Sequence, residues 1–220
     1  MAIRVAVAGA AGKMGLATCE AVEAADGLEL VARVDPALGV GLAEVLADVD
    51  VVVDFTRPDV AVDNINACME AGVHAVVGTS GFDISKVTPQ NGAKLLFCPN
   101  FAIGAVLMMK FAAEASKHMP KVEIIELHHD QKLDAPSGTA KRTVEMIREA
   151  SGKEVGGVHS VRLPGVIANQ EVIFGEIGQT LTIRHDTTDR KSFMPGVVLA
   201  VRKVASMDDD VVVGLENVLD

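Results

Sequence analysis

His128 and His129 stand side by side in EIIELHHDQKLDAPSGTAK, the run from Glu123 to Lys141, with Lys132 just after them and Ser137-Gly138-Thr139 beyond. These types supply a titratable acid, a cation and small hydrogen-bonding residues suited to an anion. If KVEIIELHH is a strand, the two imidazoles at its carboxyl end point to opposite faces. One could then meet a reacting centre while the other meets substrate or protein. Lys132 lies in the following loop, free to bring its charge to the same cavity. Ser137 ahead of Gly138 and Thr139 reads as a helix start whose backbone amides can hold an anion. The set suits reduction of a small carboxylated imine or carbonyl. Each part also has a plainer reading: paired histidines are often solvated, and PSGT opens many ordinary helices. Zinc would need further ligands at a spacing the chain does not offer.

A second set lies at the N-terminus. Gly9, Gly12 and Gly15 fall between an apolar run and a helical pattern in VAVAGAAGKMG. Gly9 permits a tight turn, Gly12 lets a pyrophosphate approach the backbone, and Gly15 allows close helix–strand packing, with the helix start offering amides to the phosphates. The spacing is GxxGxxG rather than GxGxxG, so context carries the argument: the turn is N-terminal and an acid, Asp35, ends the second strand. A carboxylate there can accept from the ribose hydroxyls of an adenosine and repels a 2′-phosphate, which favours NADH over NADPH. Pro36 follows it, not the arginine that would welcome NADPH, although Lys13 can partly compensate. A purely structural turn and a surface acid at a strand end are the alternatives. GTSG, Gly78 to Gly81, closes the fourth strand and would pass beside a nicotinamide; taken alone it is only a turn.

These residues need elements to hold them. IRVAVAGAAGKMGLATCEAVEAADG reads as strand, glycine turn and helix, with Ile3, Val5 and Val7 in a run buried on both faces, as parallel strands usually are. LELVARVD is a second strand. A short helical piece from about Gly41 to Ala47 leads to a third strand, DVVVDFT. PDVAVDNINACMEAG is a helix stopped by Gly72, and HAVVGTSG and AKLLFCPN are the fourth and fifth strands. Strands alternating with helices through short connections predict a doubly wound parallel sheet. After Asn100 the rhythm changes. GAVLMMKFAAEASKHM is a long apolar helix whose Met108 and Met109 read as packing. KVEIIELHH, a capped helix from Ser137 to about Ala150, the glycine-rich link SGKEVGG and the strand-like runs QEVIFGEI and QTLTIRHD follow. PGVVLAVRKVAS returns to helix with Pro195 in its first turn. The shift near residue 103 marks a domain boundary, and the tail rejoins the first domain.

Composition sets limits. With 220 residues, 49% of them hydrophobic, the chain can bury a real core and is long enough for two small domains. A net charge of −10 argues against nucleic acid or an anionic membrane as partner, but local cations can still hold an anionic small molecule. The longest apolar runs are strand-sized, and MAIRVAVAGA has neither the length nor the cleavage pattern of a signal peptide. Cys19, Cys68 and Cys98 are widely spaced, as expected of reduced thiols in a cytoplasm. Tyrosine and tryptophan are absent, which excludes any mechanism with a tyrosine proton donor.

ELHHDQKLDAPSGTA closely resembles the signature of the 4-hydroxy-tetrahydrodipicolinate (dihydrodipicolinate) reductase family. The resemblance extends over the whole chain through VAGAAGKMG, VVVDFTRPD, VVGTSGF, CPNFAIGAV and LTIRHDTTDRKSFMPGVVLAVRKV. It implies a Rossmann-type domain, residues 1–102 with 194–220, and a mixed α/β substrate-binding and tetramerisation domain, residues 103–193. It further implies NADH- or NADPH-dependent hydride transfer to C4 of a small dicarboxylate ring with loss of a hydroxyl as water, in lysine and diaminopimelate biosynthesis, by a cytoplasmic homotetramer. Carried onto this chain, Gly9, Ala10, Ala11, Gly12, Lys13 and Met14 would hold the pyrophosphate, and Asp35 the ribose. Gly78, Thr79 and Ser80, with Cys98, Pro99, Asn100 and Phe101, would hold the nicotinamide end. His128 would be the proton donor and acceptor, Lys132 a second donor, and His129 with Gly138 and Thr139 would grip carboxylates. No metal is implied. The chain departs from the pattern at Cys98, where Ala is usual, at Asn169 for His and at Ser80 for Thr. It is also short before LLFCPN and in SGKEVGGVHSV. Aspartate and homoserine dehydrogenases share the first domain but give no reason for HHxxK followed by DAPSGT. A module that senses NADH without turnover is separated from an enzyme by following NADH absorbance with substrate.

Overall fold

The computed structural model describes residues 1–219; Asp220, the last residue of the expected tail segment, lies outside them. The chain divides into two compact units, Met1–Phe101 joined by the chain from Phe193 onward, and Ala102–Ser192.

The first unit is built on six parallel strands: β1 (Ile3–Ala8), β2 (Leu28–Val34), β3 (Val51–Asp54), β4 (His74–Val77), β5 (Leu95–Phe97) and a late strand near the C-terminus, Val211–Val213, in the order late strand–β5–β4–β3–β1–β2. Val5, Val7, Val51, Val52 and Val53 are all essentially inaccessible, because a parallel sheet covered on both faces has no wet side. Helix α1 (Lys13–Ala24) packs beside a later helix, Met194–Lys203. Helix α2 (Pro58–Ala71) buries Ile65 and Met69 against Ala6, Ala8 and Val52. Pro58 starts α2, and Gly72, with φ +71°, ends it in the left-handed conformation that glycine adopts without strain. Strand order reverses between β1 and β3, so the carboxyl ends of these strands flank the crevice where doubly wound sheets take ligands.

One expected element takes a different form here, and one strand was not expected. The helical piece at Gly41–Ala47 is two 3-10 turns, Leu42–Glu44 and Leu46–Asp48. The segment is too short to propagate an α-helix, and Glu44 folds back onto the Gly41 amide at 3.2 Å. The late strand, VVV after three aspartates, was not foreseen; it exists because β5 pairs with it. The connection from β4 to β5 holds a single 3-10 turn, Ile84–Lys86, and no α-helix. Phe82 fills that space, stacked edge-on against Phe97 at 5.0 Å.

The second unit carries α3 (Ile103–Ser116), β6 (Lys121–His128), α4 (Gly138–Ser151), β7 (Gly157–Arg162), β8 (Ala168–Glu176) and β9 (Gln179–Thr187). The Met194–Lys203 helix and the Val211–Val213 strand become α5 and β10 in chain order. The sheet runs β7-β6-β8-β9, with β6–β7 parallel and the remaining pairs antiparallel. Val122, Ile124, Val172 and Phe174 form the buried face, and α3 packs on α4 and against β8 and β9. Strand alternation puts Glu123, Ile125, Leu127, Glu171 and Ile173 on the other face. Strand β7 was also missed: GVHSVR has too little apolar alternation to read as a strand and is held by its six-residue register along β6. A doubly wound parallel sheet followed by a mixed α/β unit is the expected fold class.

Candidate active site

The glycine turn is built as its spacing suggests. Gly9 has φ +78°, and a side chain there would run into the Phe55 carbonyl. The Gly9 and Ala10 amides both donate to the Val34 carbonyl, at 2.9 and 3.2 Å, which ties the loop to the end of β2. A methyl at Gly15 would overlap the Gly9 backbone, so α1 can lie this close to β1 only with glycine there. Gly12 precedes α1 without a side-chain cap. Lys13 and Ala11 are exposed, and Met14 is half-buried.

Asp35 is less free than its sequence position suggests. Its carboxylate accepts from the Ala37 amide at 2.9 Å and from the Ala11 amide at 3.1 Å, so it caps the turn after β2 and braces the glycine loop together. Two carboxylate oxygens offer about four lone-pair sites, which leaves capacity for a ribose hydroxyl.

Met14, Phe55, Thr56, Pro58, Gly78, Thr79 and Ser80 line a cavity of about 400 Å³ at the carboxyl ends of β3 and β4. Phe55 and Phe101 meet edge-to-face at 5.6 Å, and any side chain at Gly78 would strike both rings. Sequence reasoning missed what organises this wall. Asp54, 2% exposed, accepts from the Thr56 amide (2.9 Å) and hydroxyl (2.7 Å), the Thr79 hydroxyl (2.7 Å) and the Asn64 amide nitrogen (2.8 Å). A buried carboxylate is tolerable when it has such partners, and these pull together the loops after β3 and β4. The Cys98 thiol does not belong to the cavity. It is fully buried, and burial pushes its pKa up, so it is a packing thiol and only its backbone can face a ligand. Pro99 is exposed, Asn100 half-buried and Phe101 buried.

In the second unit, His128 ends β6 on the same face as Glu126, which is completely buried. The His128 Nδ1 lies 2.5 Å from Glu126 Oε2. A carboxylate there holds the proton on Nδ1 and leaves Nε2 as the working nitrogen. Burial lowers the His128 pKa below its usual value; Glu126 opposes this, while the Lys132 and Arg162 charges add to it. Burial works to raise the Glu126 pKa, but hydrogen bonds from Arg162, Ser160 and His128 outweigh it, and Glu126 stays a carboxylate. Lys132 is in the following loop, its ammonium 2.7 Å from Asp134 Oδ1. Arg162 donates to both oxygens of Glu126 and to the carbonyls of Lys132 and Asp134, so the structure brings His128 and Lys132 into one bonded cluster.

His129 is placed otherwise. It lines a cavity of about 240 Å³ with Asp130, Gln131, Val166, Ile167 and Arg190. Ser137 caps α4, its hydroxyl accepting from the Ala140 amide at 3.2 Å, with Gly138 exposed and Thr139 half-buried in the first turn. Thr143 donates to the Thr139 carbonyl and accepts from Gln170 of β8, both at 2.8 Å, so the start of α4 is tied to the sheet. Glu126, Arg162 and Gln170 carried no signal beyond residue type, although Glu126 stands inside the histidine signature.

The dihydrodipicolinate reductase N-terminal family model matches residues 3–101 and the C-terminal model residues 104–219. The chain belongs to the dihydrodipicolinate reductase family. A 4-hydroxy-tetrahydrodipicolinate reductase of Nocardia farcinica is 48% identical over 251 residues, covering 100% of both chains, and one of Thermobifida fusca is 49% identical, covering 99% of each. A solved dipicolinate-bound dihydrodipicolinate reductase from Paenisporosarcina sp. TG-14 superposes with a TM-score of 0.87 at 38% identity, covering 100% of both chains. The protein is thus a reductase of 4-hydroxy-tetrahydrodipicolinate in lysine and diaminopimelate biosynthesis, an oxidoreductase with a nicotinamide cofactor and a dicarboxylate substrate. The Nocardia reductase aligns over 251 positions against 220 residues here, so at least 31 positions have no counterpart in this chain. No described helix is long and apolar enough to cross a membrane.

Proposed function

We propose that this reductase binds its dinucleotide on the first unit and its dicarboxylate on the second, with His128 and Lys132 handling the proton. The residues fit a dinucleotide. Gly9 and Gly15 let the turn close against Phe55 and α1 close against the turn. Exposed Gly12 leaves the backbone open to a pyrophosphate, the uncapped start of α1 directs amides at it, and the cavity beside Gly78–Ser80 has an aromatic wall. When bound, the cofactor supplies hydride; the chain must bind, orient and provide a proton. The hydroxyl of the substrate leaves as water only if it receives that proton. His129, Gly138 and Thr139 are assigned to the carboxylates, the last two through backbone amides of α4. The observation that carries this reading is the Glu126–His128 pair clamped to the Lys132 loop by Arg162. The test is NADH or NADPH oxidation followed by absorbance with authentic substrate; oxidation independent of substrate would overturn the reading.

The proton assignment sets a pH dependence. Burial holds the His128 pKa below the usual imidazole value and so favours the neutral ring in the free protein, whereas two substrate carboxylates favour its charged form. Binding therefore takes up a proton, and pyridine-2,6-dicarboxylate should inhibit more tightly as pH falls. The alkaline limb of kcat/KM should lie at lower pH than that of kcat, because the two report free and substrate-bound protein respectively. Coincident limbs would remove His128 from the role.

NADH is proposed as the better donor. Asp35→Ala would also strip the Ala11 and Ala37 amides of their acceptor, so Asp35→Asn is the cleaner probe. It should move the ratio of kcat/KM values toward NADPH by about tenfold, equivalent to about 1.4 kcal/mol. An unchanged ratio means that the ribose is held elsewhere.

A cytoplasmic homotetramer is proposed. The face of the second sheet that carries Ile125, Leu127 and Ile173 lies opposite α3 and α4, and half-buried aliphatics on such a face favour a partner sheet. Light scattering should give four chains; a stable, active monomer would contradict this.

A further inference from the structure

Arg162 ends β7, in register with His128 of β6, within a segment whose sequence announces no function. Every N–H of its guanidinium has an acceptor. Nε donates to the Lys132 carbonyl (3.3 Å), Nη1 to Glu126 Oε2 (2.9 Å) and the Val161 carbonyl (2.8 Å), and Nη2 to Glu126 Oε1 (2.8 Å) and the Asp134 carbonyl (2.7 Å). Its side chain is 19% exposed and that of Glu126 is 0% exposed. A buried ion pair is by itself weak grounds for a stabilising role, since desolvation cancels much of the attraction. The direction of these five bonds is more informative: two fix the carboxylate that touches His128, and two fix the backbone that follows the Lys132 side chain.

We propose that Arg162 is a positioning residue for both proton-handling groups at once. Through Glu126 it sets the tautomer and aim of His128, and through the Lys132 and Asp134 carbonyls it sets the loop that presents the Lys132 ammonium. Only a planar five-donor fork can do both; a lysine, with three donors on one nitrogen, can replace the charge but not the clamp. Asp134 adds to the arrangement, because its carbonyl is held by Arg162 and its carboxylate by Lys132. The inference rests on His128 and Lys132 being the proton-handling pair. It adds that their geometry has one common support, 30 or more residues from either in the chain.

Two variants separate the two arms. Arg162→Lys keeps a cation beside Glu126 and loses the loop carbonyls. It should lower kcat by about 10- to 100-fold, the scale of a misplacement near 1 Å, with the KM for NADH unchanged. Combined with Lys132→Ala it should cost much less than it does alone, because the loop it steadies no longer carries an amine. Glu126→Gln tests the other arm. Nitrogen NMR of the His128 ring should change from a single Nδ1–H form to a mixture, and kcat should fall with it. Arg162→Lys and Lys132→Ala multiplying in full, or an unchanged His128 tautomer in Glu126→Gln, would overturn the proposal. If Arg162→Lys fails to fold, the Glu126→Gln spectrum decides. Near-normal turnover of Lys132→Ala or His128→Ala instead defeats the underlying site assignment, a result that the tautomer spectrum cannot mimic.

Discussion

His128→Ala is expected to lower kcat by about 10²–10⁴, the usual worth of a positioned general acid. The KM for NADH should hardly change, since the proposed dinucleotide residues lie on the other unit. The size follows from the local geometry. Glu126 fixes Nδ1, which leaves Nε2 to give the proton, and the half-buried ring limits exchange with bulk water. Removing the ring also leaves the Glu126 carboxylate with Arg162 as its ion-pair partner, so the fold has reason to survive. Thermal melting confirms folding, and turnover is then followed by NADH absorbance. Near-normal turnover in a folded variant would reject the assignment.

Lys132→Ala is expected to weaken pyridine-2,6-dicarboxylate, a planar dianion with no position to reduce, by about 10- to 100-fold, from the loss of a charged hydrogen bond worth about 1.5–3 kcal/mol. The loss should exceed that of a simple deletion. Asp134, half-exposed and now without its ammonium partner, is left to repel the incoming carboxylates. Lys132→Ala with Asp134→Asn should therefore bind the dicarboxylate better than Lys132→Ala alone. Lys132→Arg keeps a cation and should retain more inhibitor binding, yet it should turn over poorly because a guanidinium does not release a proton near neutral pH. High salt should weaken the wild-type complex most. Equal inhibition of wild type and Lys132→Ala, measured as competition with substrate, would remove the lysine from the site.

By itself the sequence determined the features that near neighbours decide. Gly9 and Gly15 announce a turn and a close approach, and both sit where any larger residue would clash. Pro58 and Gly72 bracket α2, and Ser137 caps α4. The inner strands β1, β3, β4 and β5 read as apolar runs because both faces of the sheet are covered there. The histidine signature, through its resemblance to a known family, indicated the reaction as well. These signals survive in one dimension because caps, turns and periodicity act over a few residues.

The tertiary structure decided what depends on register and on distant pairs. GVHSVR and VVV become strands only beside β6 and β5, which supply the hydrogen bonds that their own patterns do not predict. Asp35 reads as a free acid, yet it is spent partly on the Ala11 amide 24 residues away. Asp54 gathers Thr79 across 25 positions, and Arg162 reaches Glu126 across 36. None of these pairs is separated by a period that a helix or strand could impose. A buried carboxylate finds its donors only after the strands have aligned, because the desolvation that demands a partner does not exist in the extended chain.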